Sequence, residues 1–162
     1  MIFKPPQNIA KRDRSRKTIF LAGSIEQGKA ENWQKRLEQL HKDEYNVLNP
    51  RREGWDSSWE QSIEAPQFNQ QVKWELTGLD QADVIVFYFS PDTKSPISLL
   101  ELGLYANSHK EIYVICPDGF WRKRNVDIIC EKYNLQLIES LEEYIKLFTP
   151  KGKIGFNYGT YV

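Results

Sequence analysis

Ala82-Asp83-Val84-Ile85-Val86-Phe87-Tyr88-Phe89 is the strongest strand signal in the chain, and it runs directly into Ser90-Pro91-Asp92-Thr93-Lys94-Ser95-Pro96-Ile97-Ser98-Leu99-Leu100-Glu101-Leu102-Gly103-Leu104-Tyr105-Ala106. The second stretch opens as a turn and becomes an almost wholly apolar helix. A continuous β-branched and aromatic run that delivers the chain into a turn and then a helix is the pattern of a buried parallel strand. One acid, Glu101, stands inside the apolar helix. A carboxylate among leucines is costly to bury unless it is paired or hydrogen-bonded. Glu101 is therefore a candidate catalytic acid or nucleophile at the mouth of a strand-to-helix turn.

Outward from this unit, the same alternation repeats. Thr18-Ile19-Phe20-Leu21-Ala22-Gly23-Ser24 is a short apolar strand ending in small residues, which let backbone amides and a hydroxyl approach a ligand. A helix pattern follows from Ala30 to His41, with Trp33, Leu37 and Leu40 on one face. Tyr45-Asn46-Val47-Leu48 is a second strand, and it enters a long polar and aromatic loop, Asn49 to Trp59. Pro66 suits the first turn of the next helix, which stops near Gln81. After the central unit come a strand at Glu111 to Cys116 and an aromatic and basic loop, Pro117 to Asn125. A helix from Val126 to Tyr133, a strand at Leu135 to Ile138 and a helix over Leu141 to Phe148 capped by Ser140 complete the pattern. Five alternations predict an α/β fold: a flavodoxin-like open five-stranded, mainly parallel sheet with helices on both faces. In that architecture ligands sit at the carboxyl ends of the strands, near the topological switch point. Ser24, the Trp55/Trp59 loop, Ser95 with Glu101 and the Trp121 to Asn125 loop then face one crevice. Asp83 starts its strand at the opposite end and reads as structural.

The chain has 162 residues, 40% apolar and 27% charged, which suits one globular domain. Residues 1–16, with two prolines and the run Lys11-Arg12-Asp13-Arg14-Ser15-Arg16, read as a flexible basic leader; 17–150 form the α/β domain; 151–162 form an aromatic tail. The 22 basic and 22 acidic side chains cancel, so a broad nucleic-acid-binding face is not expected, and the basic run reads as a solvated face. Small-molecule chemistry fits better. Two cysteines make no disulfide framework, and with His41 and His109 they make no metal-ligand spacing, so no cofactor or metal is expected. No apolar run has membrane-spanning length, and a cytoplasmic setting is the expectation. Aromatic content is 13%, with five tryptophans. Trp55, Trp59, Phe120 and Trp121 either stack on a flat ligand or pack on the sheet or a subunit contact.

Several motifs, in this order, resemble the nucleoside 2-deoxyribosyltransferase superfamily, which includes the deoxynucleoside 5'-monophosphate N-glycosidases. They are Ile19-Phe20-Leu21-Ala22-Gly23-Ser24-Ile25, Ala82-Asp83-Val84-Ile85-Val86, and Ser95 followed six positions later by Glu101-Leu102-Gly103 with Tyr105-Ala106. The Asn49-Pro50-Arg51-Arg52 loop and the Gly119 to Asn125 stretch match a transferase-like branch. The resemblance implies that Glu101 is the nucleophile. It also implies that Glu75, eight positions before Asp83 where relatives usually carry Asp, handles the proton on the base. Ser24 and Ser95 match phosphate-contacting serines of the hydrolase branch, whereas familiar transferases carry Asp at the position of Ser95. Phe20 stands where Tyr is frequent. Asn125 resembles a residue that reaches the 5' end of the sugar in a neighbouring subunit, and the tail, with Tyr161, a segment that closes a neighbour's site. Gly23, Asn49, Trp55, Asp56 and Trp59 complete the candidate substrate-binding set. Implied partners are nucleosides, free nucleobases and further copies of the chain.

Those residue types suit N-glycosidic cleavage. Breaking that bond builds positive charge on the sugar, which a carboxylate beside the anomeric carbon stabilises and then captures, while a second carboxyl protonates the departing base. Transfer to another base makes the protein a 2'-deoxyribosyltransferase, and transfer to water makes it an N-glycosidase. A non-catalytic nucleotide sensor on the same fold is the third reading. For Glu101, apolar neighbours push the pKa up and the helix start pushes it down, and both directions stay open from sequence.

Overall fold

A computed structural model describes residues 1–25, 32–54 and 58–149. Among them are six strands, β1 (Ile2–Phe3), β2 (Thr18–Gly23), β3 (Asn46–Leu48), β4 (Val84–Tyr88), β5 (Glu111–Ile115) and β6 (Gln136–Ile138). Five helices connect or follow them: α1 (Trp33–His41), α2 (Pro66–Gln81), α3 (Pro96–Tyr105), α4 (Lys123–Tyr133) and α5 (Leu141–Phe148). Every strand pair is parallel, and the order across the sheet is β1-β3-β2-β4-β5-β6. Without β1 this is the flavodoxin-like order, and its switch point lies between β2 and β4.

Side-chain alternation along the strands makes two cores. Phe20 and Ala22 of β2, Ile85 and Phe87 of β4, and Val114 of β5 face Trp74 and Leu79 of α2, Leu102 of α3 and Val126 of α4. Ile19, Leu21, Val84, Val86 and Ile115 face Trp33 and Leu37 of α1 and Leu141 and Tyr144 of α5. Helices thus cover both faces, which is why the strands read as continuous apolar runs rather than alternating ones.

Six strands replace the expected five because the first sixteen residues do not stand apart as a leader. Ile2 and Phe3 pair with Val47 and Leu48 at the edge of the sheet. Phe3 and Ile9 are buried, and the Trp74 indole N–H donates to the Gln7 carbonyl at 2.8 Å. Asp83 is structural: its carboxylate accepts the Thr18 backbone N–H at 2.8 Å and ties the start of β4 to that of β2. Ser140 caps α5 through the Glu143 N–H at 3.1 Å. No helix among the described residues is long and apolar enough to cross a membrane. No group of three or more His, Cys, Asp or Glu among them is placed to hold a metal ion.

Candidate active site

The end of β2 approaches β4 very closely. Gly23 has φ 134°, and a Cβ there would lie 2.2 Å from the Tyr88 carbonyl oxygen, so glycine is required where the two strands diverge. The next residue, Ser24, donates its N–H to that carbonyl at 2.9 Å, and its Oγ accepts the Ser90 N–H at 2.9 Å. Around Ser24 Oγ a cluster of three buried hydroxyls closes: Thr93 Oγ1 lies at 2.7 Å, Ser95 Oγ at 2.6 Å, and those two are 2.8 Å apart. Thr93 also donates to the Ser90 carbonyl at 2.9 Å. The cluster locks the turn that leads into α3. Thr93 was not among the candidates; a lone threonine in a turn has no signal until its partner 69 positions away is known.

Ser95 holds the position before α3, and Pro96 is in the first turn. Its side chain does not cap the helix: Ser95 has φ 46°, in the left-handed region, and its hydroxyl turns to Ser24 and Thr93 instead. That backbone conformation costs about 1–2 kcal/mol for a residue with a Cβ, which the hydroxyl bonds offset. Ser98, Glu101 and Leu102 form the inward face of α3.

Glu101 is 7% exposed. Burial first, and then the nearby Glu75 carboxylate, push its pKa up to about 8. The choice left open by the sequence is therefore decided for burial. Glu101 is the sixth residue of α3, beyond the first turn where the helix start favours negative charge. Glu75 lies on α2, which packs tightly on β2: a Cβ at Gly78 would meet the Phe20 ring at 2.7 Å. Burial raises the Glu75 pKa to about 7, opposed by a hydrogen bond from Gln71. Two carboxyls that feel each other in a dry setting hold one proton between them near neutral pH. Glu101 is raised further than Glu75, so the reacting form, with the proton on Glu75 and Glu101 ionised, is the less populated of the two one-proton forms.

A chain of contacts supports Glu75 from behind. Gln71 Nε2 donates to Glu75 Oε1 at 2.8 Å and to the Pro50 carbonyl at 2.9 Å. Pro50 follows Asn49, whose side chain is wholly engaged: Nδ2 donates to Glu38 at 2.6 Å and Oδ1 accepts the Arg51 N–H at 2.8 Å. Asn49 N–H donates to the Phe3 carbonyl, and Lys4 pairs with Glu38 at 3.4 Å. The amino-terminal edge strand thus props the loop that orients Gln71.

The other candidates divide. Phe20 is in the core, its ring 6.2 Å from that of Trp74. Phe120 is also core, 5.0 Å from Phe89. Trp59 is half-buried with the Arg52 guanidinium 5.1 Å above its ring. Asn125 is exposed on α4. Trp121 is half-exposed, bonded to the Lys94 carbonyl at 2.9 Å and covered by Arg122 at 4.3 Å. Trp55, Asp56 and Tyr161 lie outside the described residues.

A family model described as nucleoside 2-deoxyribosyltransferase like matches residues 16–120, more than half of the chain, and spans both carboxyls and the whole hydroxyl cluster. The chain belongs to that family. A comparison with curated proteins returned no match. The family assignment agrees with the geometry, since its matched region ends just after the turn that follows β5 and so covers β2, β4 and α3, which carry the switch point.

Proposed function

We propose that the protein is a nucleoside 2'-deoxyribosyltransferase acting through a covalent deoxyribosyl ester on Glu101. The observation that carries this reading is the pairing of buried Glu101 with half-buried Glu75 on adjacent helices, each with its pKa raised by loss of solvent. In the first half-reaction the Glu75 carboxyl gives its proton to a ring nitrogen of the base. The C1'–N bond breaks with its electron pair going to the base, and the Glu101 carboxylate bonds to C1'. Neutral base leaves, Glu75 is ionised, and the sugar is held as an ester. In the second half an incoming base gives a proton to Glu75 as its nitrogen attacks C1', which restores both groups.

An uncharged 5'-hydroxyl fits better than a 5'-phosphate. Of the basic trio after β5, Lys123 is buried against Asp127 at 3.3 Å and Glu139 at 3.0 Å, and Arg124 pairs with Asp127 at 3.0 Å. The hydrolase reading keeps one specific support, the convergence of Ser24 and Ser95 at the switch point. Incubation with deoxycytidine and adenine tests the choice. Deoxyadenosine is the expected product; free sugar phosphate from a deoxynucleotide, without base exchange, would establish the hydrolase instead.

A homo-oligomer belongs to the same proposal. Ile97, Leu100 and Leu104 form an apolar stripe on α3, each about 60% exposed, on the helix that carries Glu101. A second copy covering it is the proposed occupant, in keeping with the resemblance of Asn125 to a residue that reaches a neighbouring subunit's site. Cys116 and Cys130 are buried free thiols, in keeping with a reducing cytoplasm.

A further inference from the structure

Gln71 is 5% exposed, and its amide is half used in an unusual way. Both of its N–H groups are committed, to the Pro50 carbonyl at 2.9 Å and to Glu75 Oε1 at 2.8 Å. Its Oε1 is buried and has no partner among protein groups. A buried acceptor left unpaired costs about 1–3 kcal/mol, and such groups are rare in folded proteins. The amide has no route to relief by rotating. The Pro50 carbonyl only accepts, so a flip would set two carbonyl oxygens against each other and forfeit that bond. Gln71 therefore presents one acceptor and no donor, beside the carboxyl that handles the proton of the base.

We propose that Gln71 Oε1 reads the leaving base by accepting an exocyclic amine N–H while Glu75 bonds the adjacent ring nitrogen, so that the substrates are nucleosides of amino-substituted bases. This inference rests on the reaction proposed above and names its substrate class. Gln71 Nε2 lies 2.8 Å from Glu75 Oε1, so the spare acceptor and the acid belong to one hydrogen-bonded pair. Adenine offers the complement along its N6/N7 edge, an amine beside a bare nitrogen, and cytosine offers it along N4/N3. In a 6-oxopurine the amine is replaced by a carbonyl oxygen, which would face Oε1 acceptor to acceptor. Protonation at N7 or N3 also makes the ring a better leaving group, so base reading and acid catalysis use one edge. Gln71 acts here as a substrate-contacting specificity residue, not as a proton carrier.

The test compares donors with the full chain. Release of base is measured for 2'-deoxyadenosine, 2'-deoxyinosine and purine 2'-deoxyriboside, each also as the 5'-monophosphate. A well-made pair of base contacts discriminates by about 10- to 100-fold. Deoxyadenosine is expected to exceed deoxyinosine by that factor in kcat/KM, with the unsubstituted purine between them. Gln71→Met, which removes the acceptor at similar volume, is expected to bring the three toward equal rates, whatever it does to the absolute rate through Glu75. Equal turnover of deoxyadenosine and deoxyinosine by the unaltered protein would overturn the inference and leave the proposed reaction standing. Release of base from no deoxynucleoside or deoxynucleotide would overturn both. If Gln71→Met does not fold, the ordering of the three donors on the unaltered protein decides alone.

Discussion

The hydroxyl cluster of Ser24, Thr93 and Ser95 and the carboxyl group of Gln71, Glu75 and Glu101 both lie on the elements around the switch point, yet they are built differently. Each hydroxyl has at least two partners within 2.9 Å, and two backbone groups of Ser90 join the same network. The carboxyl group is poor in partners: burial raises both acids, and Gln71 keeps an idle acceptor. Hydrogen bonds among buried hydroxyls hold a turn in one shape, whereas buried groups left short of partners hold free energy that a ligand can release. The contrast separates what positions the site from what performs its chemistry.

Removing the nucleophile tests this division most severely. Glu101→Gln is expected to lower base exchange by about 10⁴-fold or more, by analogy with other nucleophile deletions; retained turnover would remove Glu101 from the mechanism. The same variant has an opposite effect on stability. The folded-state pKa of Glu101 is raised, so the folded state holds the proton more tightly than the unfolded chain. The native protein then loses stability as pH rises from about 4.5 through about 8. Glu101→Gln carries no such penalty. It should be more stable than the native protein above pH 8, by on the order of 2–4 kcal/mol, and urea unfolding at pH 5 and pH 9 would read it.

Glu75→Gln should be milder, a loss of about 10²- to 10⁴-fold for a general acid. Its signature is the pH profile. The native pair works with one proton between its members, so kcat/KM should peak between about pH 7 and pH 8 and fall on both sides. In Glu75→Gln the alkaline fall should vanish, because no acid is left to ionise, and the remaining acid fall should report Glu101 alone, which burial keeps above the usual carboxylate range. An unchanged alkaline limb would assign that proton to another group.

Much of this was legible in the sequence, and what was not has physical causes. The strand order around the switch point follows from continuous apolar runs separated by helical patterns, and Glu101 showed itself as an acid among leucines. The edge strand Ile2–Phe3 is too short for any period to register, and its evidence is a register with Val47 and Leu48 more than forty positions away. The basic loop Pro117 to Asn125 gives no sign that Lys123 is paired, because its partner Glu139 lies sixteen positions on. Gln71 carried no signal at all. Its meaning depends on which amide atom is left over, and that is set by the Pro50 carbonyl, which Asn49 and the amino-terminal strand hold in place.

The smallest effect concerns the hydroxyl cluster. Thr93→Val keeps the shape of the side chain and removes its hydroxyl, which touches Ser24, Ser95 and the Ser90 carbonyl. The Ser90 carbonyl is left without that donor, and Ser95 loses one of the bonds that hold its positive φ. A loss of about 1–2 kcal/mol is expected, from one neutral hydrogen-bond network member, which at this chain length lowers Tm by roughly 2–8 °C. Because the cluster positions the start of α3 and the carboxyls perform the chemistry, the pH optimum of the variant should match that of the native protein even if its rate falls. A shifted optimum in a variant of unchanged Tm would place Thr93 in the proton chemistry and dissolve the division between the two clusters.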